Sequence, residues 1–238
     1  MQVEIWSDVV CPWCYIGKRR FEAALASFAH RDEVEVRWRS FELDPSAPQL
    51  RNGKYAERLA SKYAMPVADA EHMIRQMTDA AAGEGVTMRF DRARPGNTFA
   101  AHRLLHLATR RGVQDDLKER LLKAYFTDGE PIGKLDALVP LATAAGLDTG
   151  EVEAVLDSDA FADDVRADER RAASYGITGV PFFVVDRRYA VSGAQPVEVL
   201  LQVLEQAWAE RLLTVLVGAS GVPGAAAGAS CEGDGCAV

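Results

Sequence analysis

The spacing of hydrophobic positions changes several times along the chain, and each change predicts a boundary between elements. Apolar and polar residues alternate over 3–9 and again over 34–38, which predicts two short strands. From Pro12 to Ala29 apolar residues instead recur at helical spacing, which predicts a helix that begins at the proline. Beyond a loop at 44–48 the helical spacing continues. The helices predicted there cover 54–64, 67–82, 97–111, 114–126, 134–145, 150–157 and 160–175.

The strand pattern returns in the last third of the chain. The run PFFVV at 181–185 is continuously apolar, as in a strand covered on both faces, and YAVSG at 189–193 is predicted to be its hairpin partner. Pro196 begins a last amphipathic helix that is expected to end near Leu213. From 218 to 238 the chain is rich in Gly, Ala and Ser, which predicts a flexible tail.

This order of elements predicts an α/β protein, a central sheet flanked by helices, with a large all-helical domain inserted into it. Residues 1–44 together with 176–213 are predicted to form the sheet domain, and 45–175 the inserted domain. The helix near 160–175 belongs to the insertion by position, but it is also a candidate to pack on the sheet domain.

Composition narrows the possible function classes. The 238 residues have a formal net charge of −8 and no dense run of Lys or Arg, so nucleic acid and anionic membranes are not expected as partners. No apolar stretch approaches the length of a membrane span. The chain starts MQVEIWSD, without the pattern of a secretory leader, which predicts a cytoplasmic protein with reduced thiols. Its four cysteines are therefore not expected to form a structural disulfide framework.

Two of the cysteines stand in DVVCPWCYIG, where the first strand leads into the first helix. Thiol–disulfide exchange needs an accessible thiolate and a second thiol that can displace the captured group. Cys11 is expected to be the nucleophile, because free N–H groups at a helix start favour its thiolate, and Cys14 is expected to resolve the mixed disulfide. Pro12 and Trp13 between them are expected to contact substrate and tune the potential. Alternatively, both cysteines are ordinary small core residues.

A second unusual stretch is GITGVPFFVV at 176–185, where a proline stands at the entrance of a predicted buried strand. Proline lacks the N–H that a strand ladder uses, so its presence needs a reason. A cis Val180–Pro181 bond packed against the cysteine pair supplies one, and the backbone of Val180 is then expected to pair with an extended substrate segment. Taken alone, the same residues are also compatible with an ordinary turn.

The two stretches do not stand alone. Together with NTFAAHRLLHLA at 97–108 and YAVSGAQ at 189–195, they resemble the thioredoxin superfamily, and within it the cytoplasmic DsbA-like oxidoreductases of the FrnE type. The resemblance covers most of 1–213. It implies a thioredoxin fold that carries an inserted helical domain.

The resemblance also implies a site and a reaction. Cys11 would be the nucleophile, Cys14 the resolving thiol and Pro181 the cis-proline, while His102 would line the substrate cleft. The expected activity is reduction or isomerisation of disulfides, without a metal or an organic cofactor. The expected partner is a disulfide-containing protein or a small thiol such as glutathione.

A related branch offers the alternative enzyme. The 2-hydroxychromene-2-carboxylate isomerases and kappa-class glutathione transferases share this fold and typically have serine near the position of Cys11. A glutathione-linked isomerase or transferase is therefore the second candidate, although a chain that keeps both cysteines favours redox chemistry.

Two further cysteines, Cys231 and Cys236, lie in the closing CEGDGCAV. One hypothesis is a secondary redox pair that exchanges electrons with Cys11 and Cys14, and the alternative is two idle thiols on a tail. All four cysteines are also compatible with a tetrahedral zinc site, which would make the protein a metal-binding module.

Three polar residues near the predicted site leave their roles open. His102 and His106 share one helix face at a spacing compatible with metal binding, but a helix face packed beside the site, or simple surface exposure, is favoured over a metal site. Asp8 lies three residues before Cys11, close enough to influence proton transfer at Cys14, or it is a solvent-facing residue that caps the helix start.

Overall fold

The structure is a computed structural model that describes residues 1–219, with side chains described as far as residue 211. Within these residues the strands form one four-stranded sheet in the order β2-β1-β3-β4. Strand β2 runs parallel to β1, whereas β3 is antiparallel to both β1 and β4. The strands are β1 (Gln2–Ser7), β2 (Glu35–Ser40), β3 (Phe182–Val185) and β4 (Tyr189–Ser192).

Most helices begin and end within about two residues of their predicted bounds. The α-helices of the described residues are α1 (Pro12–Ser27), α2 (Tyr55–Tyr63), α3 (Val67–Gly83), α4 (Phe99–Arg111), α5 (Gln114–Lys123), α6 (Leu135–Ala144), α7 (Thr149–Leu156), α8 (Ala162–Ser174) and α9 (Val197–Ala219). No helix in the described part of the chain is both long and apolar enough to cross a membrane.

Two helix ends differ from the prediction. Helix α5 passes into a π-helical turn at Ala124–Asp128, a change of hydrogen-bond spacing that an apolar pattern does not distinguish from continued α-helix. Helix α9 continues past Leu213 to Ala219, because the residues after Leu213 include no proline that would end it earlier. The predicted tail at 218–238 therefore begins two residues too early, since 218 and 219 belong to α9, and 220–238 lie outside the described residues.

The sheet is covered on both faces, which follows from the alternation of side chains along β1. Val3 and Ile5 pack in a cluster with α1 and α9, whereas Trp6 points to the opposite face and packs with Ala172 of α8. The indole Nε1 of Trp6 also donates to the backbone oxygen of Asp168 in α8, at 3.0 Å. The predicted α/β architecture, with a helical block between β2 and β3, is confirmed.

The helical block and the sheet share apolar contacts. The largest core cluster contains most of the buried residues of the block, and it also contains Val9, Tyr15 and Ile16 from the first segment of the chain. Helix α8 is held to the sheet by its Asp168 carboxylate, which accepts from the Ser40 N–H at 3.0 Å. The division into a sheet domain and an inserted domain stays a prediction.

The start of α1 lies directly against the entrance of β3. The Val180–Pro181 peptide bond is cis, and Gly17 of α1 is so close to it that a Cβ on Gly17 would lie 2.9 Å from Cγ of Pro181. Since real Cβ contacts essentially never reach that distance, only glycine fits here without a shift. This contact sets the position of Pro181 relative to the first turn of α1.

Substitution Gly17→Ala should therefore destabilise the protein although alanine favours helices. The added methyl must displace Pro181 or bend α1, and overpacking of this kind costs about 1–3 kcal/mol. Gly83→Ala is the control, because Gly83 is the last residue of α3 and nothing lies within 4 Å of the added Cβ. The control should gain at most about 0.5–1 kcal/mol in denaturant unfolding, which is the value for a glycine in the middle of a helix. Equal effects of the two substitutions would contradict the contact.

Candidate functional site

The cysteine pair occupies the first turn of α1. Cys11 is the N-cap residue with extended backbone angles (φ −93°, ψ 115°), and Pro12 is the first helical residue. The N–H of Cys14 donates to the Cys11 carbonyl oxygen at 3.1 Å. Both thiols are free and buried, Cys11 with 4% and Cys14 with 0% of its surface exposed. Proline fits here because a first helical residue needs no N–H partner.

The GVP segment lies against this turn. Sγ of Cys11 is 3.4 Å from the backbone oxygen of Val180, the residue on the N-terminal side of the cis bond. Pro181 is fixed from the other side, because its carbonyl oxygen accepts the N–H of Gly193 at 2.8 Å. The two stretches singled out in the sequence thus meet in space.

The position at the helix start predicts a lowered pKa for Cys11, but in the structure it is the pKa of Cys14 that is lowered. A hydrogen bond with Cys14, together with burial, raises the pKa of Cys11 well above its usual value. Burial also opposes ionisation of Cys14, but the hydrogen bond from Cys11, the charge of Lys118 and a hydrogen bond from Ser7 outweigh it and lower the pKa of Cys14. The pair therefore loses its first proton on the Cys14 side, and Cys11 keeps the second.

Lys118 of α5 is a cation near the thiols that the sequence did not lead us to expect. Its side chain is fully buried, with Nζ 5.5 Å from the ring centroid of Trp38, and it makes no ion pair within the described residues. Burial lowers its pKa to about 8, although the negative charges of Cys14 and Asp8 oppose this shift. The available signal was its position: Lys118 stands beside Leu117 and one turn before Leu121 on an apolar helix face.

Asp8 is a buried anion and not a solvent-facing cap. Its carboxylate contacts Nε2 of His102 at 3.3 Å and accepts the N–H of Leu43 at 2.8 Å. Burial opposes its ionisation, but these contacts and the charge of Lys118 together lower the pKa of Asp8. Asp8 and Lys118 thus place one charge of each sign beside the thiols.

His102 does not line the substrate cleft, contrary to expectation. Its side chain is fully buried on α4, and it does not border the cavity at Cys11. It reaches the cavity only through Asp8, so its role is to hold that carboxylate. Helical spacing predicts that His102 and His106 lie on the same face of α4. It does not predict which part of the protein packs against that face.

A cavity of about 950 Å³ opens beside Cys11, within the usual size range of small-molecule sites. Pro12, Trp13 and Val180 line it as expected, and Trp13 is 41% exposed. The opposite wall comes from α2 and α3 of the helical block, with Tyr55 and Arg58 among its residues. A sulfur of a bound ligand can therefore reach Cys11 between the two parts of the fold.

The metal and relay hypotheses involve residues beyond this cavity. His106 contacts Ser40 at 3.1 Å and Asp168 at 3.3 Å, and the described part of the chain contains no cluster of three potential metal ligands. Cys231 and Cys236 lie outside the described residues, so the redox relay and the four-cysteine zinc site stay predictions.

Comparisons with known proteins place this geometry in context. The family described as DSBA-like thioredoxin domain matches residues 2–205. The crystal structure of a probable DsbA oxidoreductase from Streptomyces coelicolor is 48% identical, covers 100% of this chain and 99% of its own, and superposes with a TM-score of 0.84. The uncharacterised protein YwbO of Bacillus subtilis is 30% identical over 191 residues, which span 78% of this chain and 86% of that protein.

A more distant structure shares the fold. The cytosolic disulfide reductase DsbM from Pseudomonas aeruginosa, solved with GSH, is 19% identical and superposes with a TM-score of 0.59 over 91% of this chain and 100% of its own. At that identity the likeness concerns the fold alone. The predicted thioredoxin fold is confirmed.

Substitution Lys118→Met should raise the pKa of the cysteine pair. Without the buried ammonium, the first thiolate loses its nearest positive charge, so less of it forms at neutral pH. Thiolate ultraviolet absorbance of the reduced protein against pH measures the change. Lys123→Met is the control, because Lys123 lies on the same helix but pairs with Asp128 at the surface. Superposed titration curves for the wild type and Lys118→Met would contradict the assignment.

The same lysine should make stability depend on pH. Since its pKa in the folded protein is lowered to about 8 from 10.5, the unfolded chain binds more protons between these values, and stability rises with pH there. The cost of the buried charge is fully present below about pH 8. Lys118→Met should therefore be more stable than the wild type at neutral pH, by an amount that shrinks towards pH 10. Unfolding of both reduced proteins in denaturant across this range tests it, and a difference that grows with pH would contradict it.

Proposed function

Because the chain belongs to the DSBA-like thioredoxin domain family, we propose that it is a thiol–disulfide oxidoreductase that reduces or isomerises disulfides through Cys11 and Cys14. The observation that supports this most directly is the position of Cys11. Its sulfur lies 3.4 Å from the carbonyl of Val180 beside the cis-proline, at the wall of a cavity, with Cys14 buried behind it. The FrnE subtype stays a prediction.

The first step of the proposed reaction moves the negative charge from Cys14 to Cys11, the cysteine that lines the cavity. Transfer of the Cys11 hydrogen to Cys14 leaves a thiolate on Cys11, which lines the cavity, whereas Cys14 does not. The thiolate attacks one sulfur of the substrate disulfide, the substrate S–S bond breaks, and the released sulfur takes up a proton. A mixed disulfide between Cys11 and the substrate remains.

The second step releases the substrate. Cys14 loses its proton, which the positive charge of Lys118 favours, and its thiolate attacks Sγ of Cys11. The second substrate sulfur leaves and is protonated, so the substrate has gained two electrons and two protons and the protein holds a Cys11–Cys14 disulfide. In isomerisation, another substrate thiol displaces Cys11 instead, and no net oxidation occurs.

Reduction or isomerisation is proposed over oxidation because of the expected compartment. In the cytoplasm, which stays the predicted location, glutathione and thioredoxin keep thiols reduced. Two possible substrates fit the cavity: an extended segment of a disulfide-containing protein along Val180, and a small disulfide. The exposed ring of Trp13 offers apolar contact to either.

The two cysteines should behave differently when each is replaced by serine. Cys11→Ser removes the attacking sulfur and should lower disulfide reduction by about two orders of magnitude or more. Cys14→Ser should also stop turnover, but it should accumulate the mixed disulfide on Cys11, visible as an adduct in intact-protein mass spectrometry. A labelled disulfide peptide serves as substrate for both. An adduct on Cys14 in the Cys11→Ser variant would reverse the roles.

The second candidate is a glutathione-linked isomerase or transferase. It is favoured by the size of the cavity beside Cys11, which suits a small thiol, and by the DsbM structure with GSH as a relative in fold. The serine substitutions described above distinguish the two candidates. Activity that survives Cys14→Ser, together with glutathione bound to the protein in a one-to-one ratio, would favour it.

A further inference from the structure

Arg58 stands on α2, in the cavity wall that the helical block contributes. The residue is half-buried, and its Nε and Nη1 atoms are buried without a hydrogen-bond acceptor. It makes no ion pair within the described residues. A guanidinium that is removed from water without an anion costs free energy, so the unpaired charge needs an explanation.

None of the carboxylates that line the cavity is available to pair with Arg58. Each carboxylate that lines the cavity already has a partner of opposite charge or a histidine. The pairs are Asp44 with Arg51, Asp8 with His102 at 3.3 Å, and Glu42 with Arg166 at 2.6 Å. What remains is Arg58 and the exposed Lys62, one turn later on the same helix. The unpaired charge of the cavity wall is therefore positive.

Arg58 and the reacting Cys11 line the same cavity. The ring of Tyr55, one turn earlier on α2, lies 5.5 Å from the guanidinium carbon of Arg58. Burial, and after it the negative charge of Cys11, raises the pKa of Tyr55, so this face of α2 senses the Cys11 sulfur across the cavity. A small ligand whose sulfur reaches Cys11 can therefore place a second group at Arg58.

We propose that Arg58, with Lys62 beside it, binds a carboxylate of the substrate, so that the cavity selects small disulfides with an anionic group over neutral and cationic ones. A guanidinium forms strong charge-assisted hydrogen bonds with a carboxylate, and the Nε and Nη1 atoms of Arg58 have no acceptor among the described residues. This inference rests on the proposed disulfide chemistry at Cys11 and names its substrate class.

Three small symmetrical disulfides of similar length test the selectivity of the wild type: dithiodipropionate, which is anionic, bis(hydroxyethyl) disulfide, which is neutral, and cystamine, which is cationic. Each kcat/KM is divided by the rate of the same disulfide with a free dithiol, which removes differences in intrinsic reactivity. The anionic compound should rank first and cystamine last, and added salt should reduce the gap because it screens the charge. A corrected ranking without preference for the anion would overturn the inference.

Arg58→Gln assigns the effect to one residue. The ratio of the anionic to the neutral kcat/KM should fall about tenfold, and Arg58→Lys should restore part of it because the charge returns without the planar fork. The ratio does not depend on the fraction of folded protein. Arg75→Gln is the matched control, since Arg75 is exposed on α3 and does not line the cavity. An equal ratio in Arg58→Gln and Arg75→Gln would overturn the inference.

The design separates this inference from the proposed function. A wild type that reduces all three disulfides without regard to charge would leave the disulfide chemistry standing and remove the role of Arg58. A wild type that reduces none of them, and whose Cys11 forms no mixed disulfide, would remove both.

Discussion

The antiparallel pairing of β1 with β3 is the constraint on which the site depends. In this register Trp6 stands opposite Phe182, so the chain that leaves β1 and the chain that enters β3 lie side by side at one end of these two central strands. Cys11 follows β1 by a few residues, and Pro181 precedes β3 directly. The missing side chain of Gly17 then lets α1 approach Pro181 closely enough to bring the Cys11 sulfur to the carbonyl of Val180.

Because the dithiol is buried, the groups packed around it determine whether its thiols ionise. A thiolate in an apolar site is costly unless a cation or hydrogen-bond donors compensate it. Here Lys118 compensates the pair from the Cys14 side, whereas on the Cys11 side the nearest polar group is the Val180 carbonyl oxygen, 3.4 Å from the sulfur, which does not stabilise a negative charge. Formation of a disulfide removes the thiolate and leaves the buried ammonium with less compensation. Lys118 therefore stabilises the reduced pair, the form in which a reductase or isomerase begins its cycle.

The local features of this protein could be predicted from its sequence, and the long-range ones could not. The change from alternating to helical spacing is a local pattern, and it places α1 at Pro12 and β3 after Pro181. The expected thiolate on Cys11 was also a local argument, from the helix start, and it left out the hydrogen bond with Cys14 and the burial that raise the pKa of Cys11. The partners of His102 depend on which helices pack together, and no residue spacing within α4 contains that information.

The charged residues that the sequence reasoning missed share one origin. Lys118 on α5 and Arg58 on α2 both belong to the helical block, while the cysteines belong to the segment that precedes it. The block and this segment share a core through Val9, Tyr15 and Ile16, so the block is packed directly against the segment that carries the cysteines. It holds a cation beneath the dithiol and another across the cavity from it. A sheet with its flanking helices alone would place the two sulfurs together, but it would lack the charge of Lys118, which lowers the pKa of Cys14.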